Sequence, residues 1–242
     1  MKQQISRLML KKYIDSQMVL PEYNPTADFN WIQTQSLLPW LPLDITIPHE
    51  VIGQELKNIE HLLVSHRDDY ADHSGWKSFC IHGKSYDATR EKEHYDDKRP
   101  LVWTDEAQTL MPRTTDFFKN TWPATRYDRL RVMLLAPGGY ISVHSDYNHP
   151  KLWPINIAIT QPKDCHFLME KHGIVPFKDG QANWLDISNR HTVFNESFEP
   201  RWHIIVHQSF DHAEFQTLVV NSYKRMYNNS NENSYNHNQR RS

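Results

Sequence analysis

The sequence contains only two cysteines, Cys80 and Cys165, in 242 residues. That excludes a disulfide framework and a zinc site built on thiolates. Long apolar runs are missing as well. No stretch of about 18 apolar residues occurs, so no membrane-spanning helix is expected. The opening MKQQISRLMLKKYIDSQ has no apolar centre of the length a secretory signal needs. Charge of one sign is scarce: the formal net charge is −2, and no long basic block occurs in the part expected to fold. Nucleic-acid binding through phosphate neutralisation therefore finds little support. No internal repeat is present. The expectation is a soluble protein of a reducing compartment, hence cytoplasmic, with neither membrane nor nucleic acid among its partners.

What is present suffices for one domain of generous size. Apolar residues make up 38% of the chain, and 8 Trp, 11 Tyr and 10 Phe can build a sizeable core with an aromatic-lined pocket. Residues 1–48 are punctuated by Pro21, Pro25, Pro39, Pro42 and Pro48, with Trp31, Leu37, Trp40 and Leu41 as apolar anchors, and read as an irregular segment wrapping a core. Ile52, Leu56, Ile59 and Leu63 recur at helical spacing, with Pro48 near the start where a proline does least harm. Residues 75–81 read as a short strand and the charged stretch 86–99 as a surface loop or lid. A second helix is expected over 114–120, with Thr114 or Thr115 as cap, Phe117 and Phe118 facing inward and Pro123 as terminator.

From Asp128 the apolar runs shorten. Strands are expected at 130–135, 140–144, 153–159, 165–169, 182–187, 191–194 and 201–206, with a turn at Ala136-Pro137-Gly138-Gly139. That spacing suggests a β-sandwich or rolled barrel. Residues 228–242 are polar and of low complexity, and are expected to be disordered. The organisation is then a single domain over 1–227, made of a wrapping and helical part (1–124), a β core (125–210) and an extension (211–227), followed by the tail.

Residues at i and i+2 on a strand share a face, so His-x-Asp on a strand aims an imidazole and a carboxylate into one pocket. With a second imidazole from a neighbouring strand, three ligands occupy one side of an ion and leave the other side open, the donor set of non-haem Fe(II) oxygenases. The dipeptide spacing alone has no weight: with 15 histidines, chance supplies about one instance. His66-Arg67-Asp68 and His94-Tyr95-Asp96 also have it, and both read as solvated surface. His144-Ser145-Asp146 differs in following a Pro-Gly-Gly turn on a strand. His191 lies downstream, and Arg201 stands ten residues after it, across a turn. Arginine grips a carboxylate through two parallel hydrogen bonds, as a dicarboxylate held at a metal by its other end requires. His203 shares the face of Arg201. Trp76, Tyr147, Trp153 and Trp184 are candidate pocket walls.

This block resembles the aspartyl/asparaginyl β-hydroxylase family of 2-oxoglutarate- and Fe(II)-dependent dioxygenases. The similar elements are residues 131–135 running into Pro137-Gly138-Gly139, then His144, the 180–186 strand, the pattern His191-x-Val193-x-Asn195-x-Ser197, and Arg201. They cover about residues 125–210; Trp76 and its surrounding GWKSFCIHG match loosely. The resemblance implies a mainly β, cupin-like double-stranded β-helix (jelly-roll) core with flanking helices. It implies Fe(II) on His144, Asp146 and His191 as catalytic centre, with 2-oxoglutarate and O2 as co-substrates and Arg201 on the distal carboxylate. The implied reaction is hydroxylation of an amino acid or an Asp, Asn or Pro residue, with release of succinate and CO2. Some animal members have glycine where Asp146 stands, and an Arg and a His where this chain has Pro154 and Asn156. Asn156 and His203 are the candidates to supply co-substrate contacts in their place. Two alternatives stand beside this. One is a non-catalytic metal- or ligand-binding cupin-like protein, for which a carboxylate clamp has no use. The other is different cupin chemistry, which usually prefers three histidines.

Overall fold

The computed structural model describes residues 2–66, 73–89 and 98–239. Among these residues eleven strands form one antiparallel sheet that curls on itself: β1 (Trp40–Leu43), β2 (Val64–Ser65), β3 (Ser74–Gly83), β4 (Val102–Trp103), β5 (Tyr127–His144), β6 (Ile155–Thr160), β7 (Cys165–Met169), β8 (Gly173–Ile174), β9 (Ala182–Leu185), β10 (His191–Asn195) and β11 (Arg201–Gln208). The path β1-β9-β6-β11-β5-β10-β7-β8 passes from a larger to a smaller leaf through β5, and β3 pairs along β5 on the larger leaf. This is the cupin-like half-barrel with flanking helices expected from the resemblance.

The expected turn at 136–139 is a corner inside one continuous strand. Residues before it pair with β11 and residues after it pair with β10, so the chain changes leaf without reversing. Gly138 has φ +71°, which a residue with a Cβ rarely adopts, and nothing lies within 4 Å of its absent side chain. Gly139 is the tight position: a Cβ there would stand 2.8 Å from the carbonyl oxygens of both Ala136 and Ser74.

Alternation along the strands assigns the layers. Val132 and Leu134 of β5, Ile155, Ile157 and Ile159 of β6, and Ile204 and Val206 of β11 point outward into the main core. That core is closed by α2 (Phe29–Thr34), α3 (His49–Ile59), α5 (Pro112–Asn120) and α6 (Ala213–Gln239), with α4 (Asp105–Leu110) at its edge. A second cluster fills the space between the leaves, including Leu135, Ile141, Phe167, Phe177, Leu185 and Val193. A third, Leu10, Leu168 and Phe194, seats α1 (Lys2–Lys11) on the outside of the smaller leaf. Burial on both faces is why these strands read as near-continuous apolar runs.

Several expectations are corrected. Residues 1–48 carry α1, α2 and β1; α2 is capped by Asp28, whose carboxylate accepts from the Trp31 N–H, and β1 extends the sheet beside β9. The first expected helix stops at Ile59 and gives way to a 3-10 turn, Glu60–Leu62, and to β2. In α5 neither Thr114 nor Thr115 is the cap. Pro112 opens the helix, and the buried Glu55 of α3 accepts from the Arg113 N–H (3.0 Å), the Thr114 N–H (2.8 Å) and the Thr114 hydroxyl (2.7 Å). The polar run from Asn228, expected to be disordered, continues α6 to Gln239. Its nucleus is already formed by the packed first turns, where Phe215, Val219 and Tyr223 are buried, and propagation costs far less than nucleation. No helix among the described residues is long and apolar enough to cross a membrane.

Candidate metal centre and carboxylate clamp

His144 ends β5 and His191 begins β10, and the antiparallel register sets them directly opposite each other. Opposed residues share a face of the sheet, which brings the two imidazoles to 4.3 Å between centroids. Asp146 lies two residues beyond the end of β5. Its N–H donates to the Ile187 carbonyl at 3.0 Å, and its carboxylate falls on the same side as the imidazoles. Asp146 Oδ1 is 3.7 Å from His144 Nε2, and Oδ2 is 3.6 Å from His191 Nε2. One donor atom from each residue lies within 4.8 Å of the others, the only such group among the described residues.

The tautomers are fixed from behind. His144 Nδ1 donates to the Ser142 carbonyl (2.7 Å) and His191 Nδ1 to the Asn189 carbonyl (2.9 Å). A carbonyl only accepts, so each ring carries a proton on Nδ1 and turns its Nε2 toward Asp146. His191 stacks on Phe167 (5.3 Å, 8° between planes). Burial first, and His144 beside it, hold its imidazole down at about 4. It is therefore neutral, the form that ligates, at any pH near 7.

Arg201 opens β11 and is 0% exposed. Its Nε donates to Gln161 Oε1 (2.8 Å), one Nη1 hydrogen goes to His203 Nδ1 (2.8 Å), and the guanidinium carbon sits 5.1 Å over the Phe177 ring. Nη2 is buried and has no partner. Burial lowers the Arg201 pKa, but a guanidinium stays charged. Burial, then Arg201, Arg131 and His66, hold His203 well below 6.5. Neutral His203 accepts at Nδ1 and keeps its proton on Nε2.

His144, Asp146, His191, Arg201, His203, Asn156 and Pro154 all line one cavity of about 360 Å³. Trp76 and Tyr147 line it as well. Trp153 and Trp184 do not: Trp184 is fully buried in the main core against Phe29 and Phe215, and Trp153 meets Phe210 edge to face. His66 was expected on the surface, yet it is 6% exposed, bonds Ser78 Oγ and lines the cavity. Arg67, Asp68 and the whole of His94-Tyr95-Asp96 lie outside the described residues, as do residues 90–97 of the expected lid. Arg131, His73 and His207 also line the cavity without having been singled out for it by composition or spacing. Arg131 had a usable signal. A charge in the middle of RLRVMLL must face something polar if both sides of the strand are buried.

A donor set that closes on one side of an ion and leaves the other side open, in a half-barrel of this type, belongs to the non-haem iron dioxygenases. Within that class the family is shown by sequence. The family model described as Aspartyl/Asparaginyl beta-hydroxylase matches residues 47–209, and the chain belongs to that family. No curated protein matches the chain. Among solved structures, an oxidoreductase of the 2OG-Fe(II) oxygenase family from Burkholderia pseudomallei is similar at 13% identity and a TM-score of 0.46, over 80% of this chain and 94% of that one. A Pseudomonas putida prolyl-4-hydroxylase is similar at 12% identity and a TM-score of 0.41, over 71% and 93%. The viral collagen prolyl hydroxylase of Paramecium Bursaria Chlorella virus-1 is similar at 11% identity and a TM-score of 0.40, over 70% and 95%.

Proposed function

We propose that the protein uses Fe(II), 2-oxoglutarate and O2 to hydroxylate an amino acid or an amino-acid residue of the Asp, Asn or Pro type. His144, Asp146 and His191 hold the metal, and Arg201 holds the distal carboxylate of 2-oxoglutarate. When bound, iron and 2-oxoglutarate supply the oxidising chemistry, with succinate and CO2 as co-products. The protein's own part is binding, orientation and exclusion of water. The Ser142 and Asn189 carbonyls aim the two Nε2 lone pairs, and Asp146 supplies the negative charge that favours a divalent cation over a neutral ligand set.

The observation that carries this reading is the unpartnered Nη2 of Arg201, fully buried in the same cavity as the triad. A buried cation with an unused donor is costly unless an anion completes it. A site that only stores a metal has no need of one. His203 keeps its Nε2 hydrogen for the same end of the cavity, and Asn156 lies on its wall with an amide that can donate or accept. Trp76, Tyr147, His73 and Phe167 surround the metal side, where the substrate must reach. A cavity of about 360 Å³ accommodates a five-carbon dicarboxylate beside an amino-acid-sized group. The test is release of CO2 from 2-oxoglutarate by the Fe(II)-loaded protein, screened with free amino acids and peptides. Stimulation by one chemical class identifies the substrate. Absence of succinate formation under all conditions would remove the proposal.

A further inference from the structure

Gln161 lies just past β6, behind Arg201, and outside the cavity lining. The orientation of its amide follows from its partners. Arg201 Nε can only donate and the Cys165 carbonyl can only accept, so Oε1 faces the guanidinium and Nε2 faces Cys165. Its backbone is pinned too, with the N–H donating to Asp179 Oδ1 at 2.6 Å. The guanidinium is thus tethered at Nε by Gln161, at Nη1 by His203, and across its face by Phe177. With the Nε edge occupied, the group cannot rotate that edge into the cavity, and Nη2 is the nitrogen left without a partner.

We infer that Gln161 is a positioning residue that fixes the rotation of Arg201, so that Nη2 meets the distal carboxylate, and thereby sets the preference for a dicarboxylate over a 2-oxo acid with one carboxylate. This rests on the cavity being a 2-oxoglutarate site. Without the tether the guanidinium samples other rotations, and the carboxylate loses a pre-aligned, charge-assisted hydrogen bond.

The experiment measures equilibrium binding of 2-oxoglutarate and of 2-oxopentanoate, which has the same carbon count without the distal carboxylate, to the anaerobic Fe(II)-loaded full chain. Wild type is compared with Gln161→Met and Gln161→Leu. The expected result is a fall of about tenfold in the 2-oxoglutarate to 2-oxopentanoate preference for Gln161→Met, the equivalent of one hydrogen bond, with 2-oxopentanoate affinity little changed. Gln161→Leu likewise removes the acceptor from Nε, is expected to lower the preference to the same extent, and carries the test if Gln161→Met does not fold. Variants that keep the wild-type preference overturn the inference. So do variants that weaken both ligands in parallel, since a merely loosened loop does that. A wild-type protein that binds no 2-oxoglutarate overturns the co-substrate reading itself, a separate outcome.

Discussion

Replacing Arg201 by methionine should disable co-substrate binding without destabilising the ligand-free protein. Arg201 is 0% exposed, so its charge has been taken out of water at a cost of several kcal/mol, on the order typical of buried ions. Methionine removes that cost. It also leaves Gln161 Oε1 and His203 Nδ1 without their donor, at roughly 1–3 kcal/mol each. These terms are of similar size and opposite sign, so the ligand-free variant should melt near or above wild type. The bound state is affected differently. Taking one partner from a buried ion pair costs about 3–5 kcal/mol, which raises the dissociation constant for 2-oxoglutarate by at least about 100-fold. The assay is thermal unfolding of the metal-loaded protein with and without 2-oxoglutarate. At about 100 times the wild-type dissociation constant, linkage adds about 2.7 kcal/mol, or about 5–10 °C for a domain of this size. At the same concentration the variant should gain no more than about 2 °C. A variant that keeps the full ligand-induced rise would refute the argument. So would a ligand-free variant many degrees below wild type, which would make Arg201 a structural strut.

Three further predictions come from the same geometry. Burial and His144 keep the His191 value at about 4 against 6.5 in an unfolded chain, so between those values the unfolded state takes up a proton that the folded state refuses. Stability of the metal-free protein therefore falls as the pH drops through that window, by up to about 1.4 kcal/mol per unit for one group. His203 acts with the same sign. Denaturant titrations at pH 7, 6 and 5 check this, and His191→Leu should have the shallower slope. Glu55→Ala strips three bonds from the start of α5 and should cost about 2–4 kcal/mol of stability while leaving 2-oxoglutarate affinity in the folded protein unchanged, as paired melts and binding isotherms would read. Gly139→Ala drives a Cβ against two carbonyl oxygens at 2.8 Å, whereas at Gly138 the side chain meets open space and only the φ of +71° resists. Gly138→Asn should therefore cost about 1 kcal/mol or less and Gly139→Ala clearly more, by comparison of melting temperatures.

The β core and the candidate site were legible in the sequence for one reason: short apolar runs bounded by turn residues and the His-x-Asp spacing are both local. His144 and Asp146 announce themselves two residues apart. His191 and Arg201 could be attached by their ten-residue spacing across a turn, although their strands are not neighbours: β5 stands between β10 and β11 and pairs with both. Other features depend on contacts that no spacing encodes. The Pro137-Gly138-Gly139 run signals a change of direction, and only the pairing of β5 with both β10 and β11 shows that the chain crosses between leaves without reversing. Thr114 has the chemistry of a cap, but the cap comes from Glu55, 59 positions away. Gln161 resembles any polar loop residue until Arg201 is placed against it. Trp184 fails as a pocket wall because an aromatic ring on a strand fits either face, and its face is the helix-covered one; Trp153 fails because it precedes β6 in a connecting segment and packs against Phe210.

The most direct test of the central claim is the visible absorbance of the anaerobic protein on addition of Fe(II) and then 2-oxoglutarate. The account predicts a weak charge-transfer band that needs both additions, is absent in His191→Ala, and in Arg201→Met requires at least about 100-fold more 2-oxoglutarate. No band from the wild-type protein, or an equal band from His191→Ala, would contradict it.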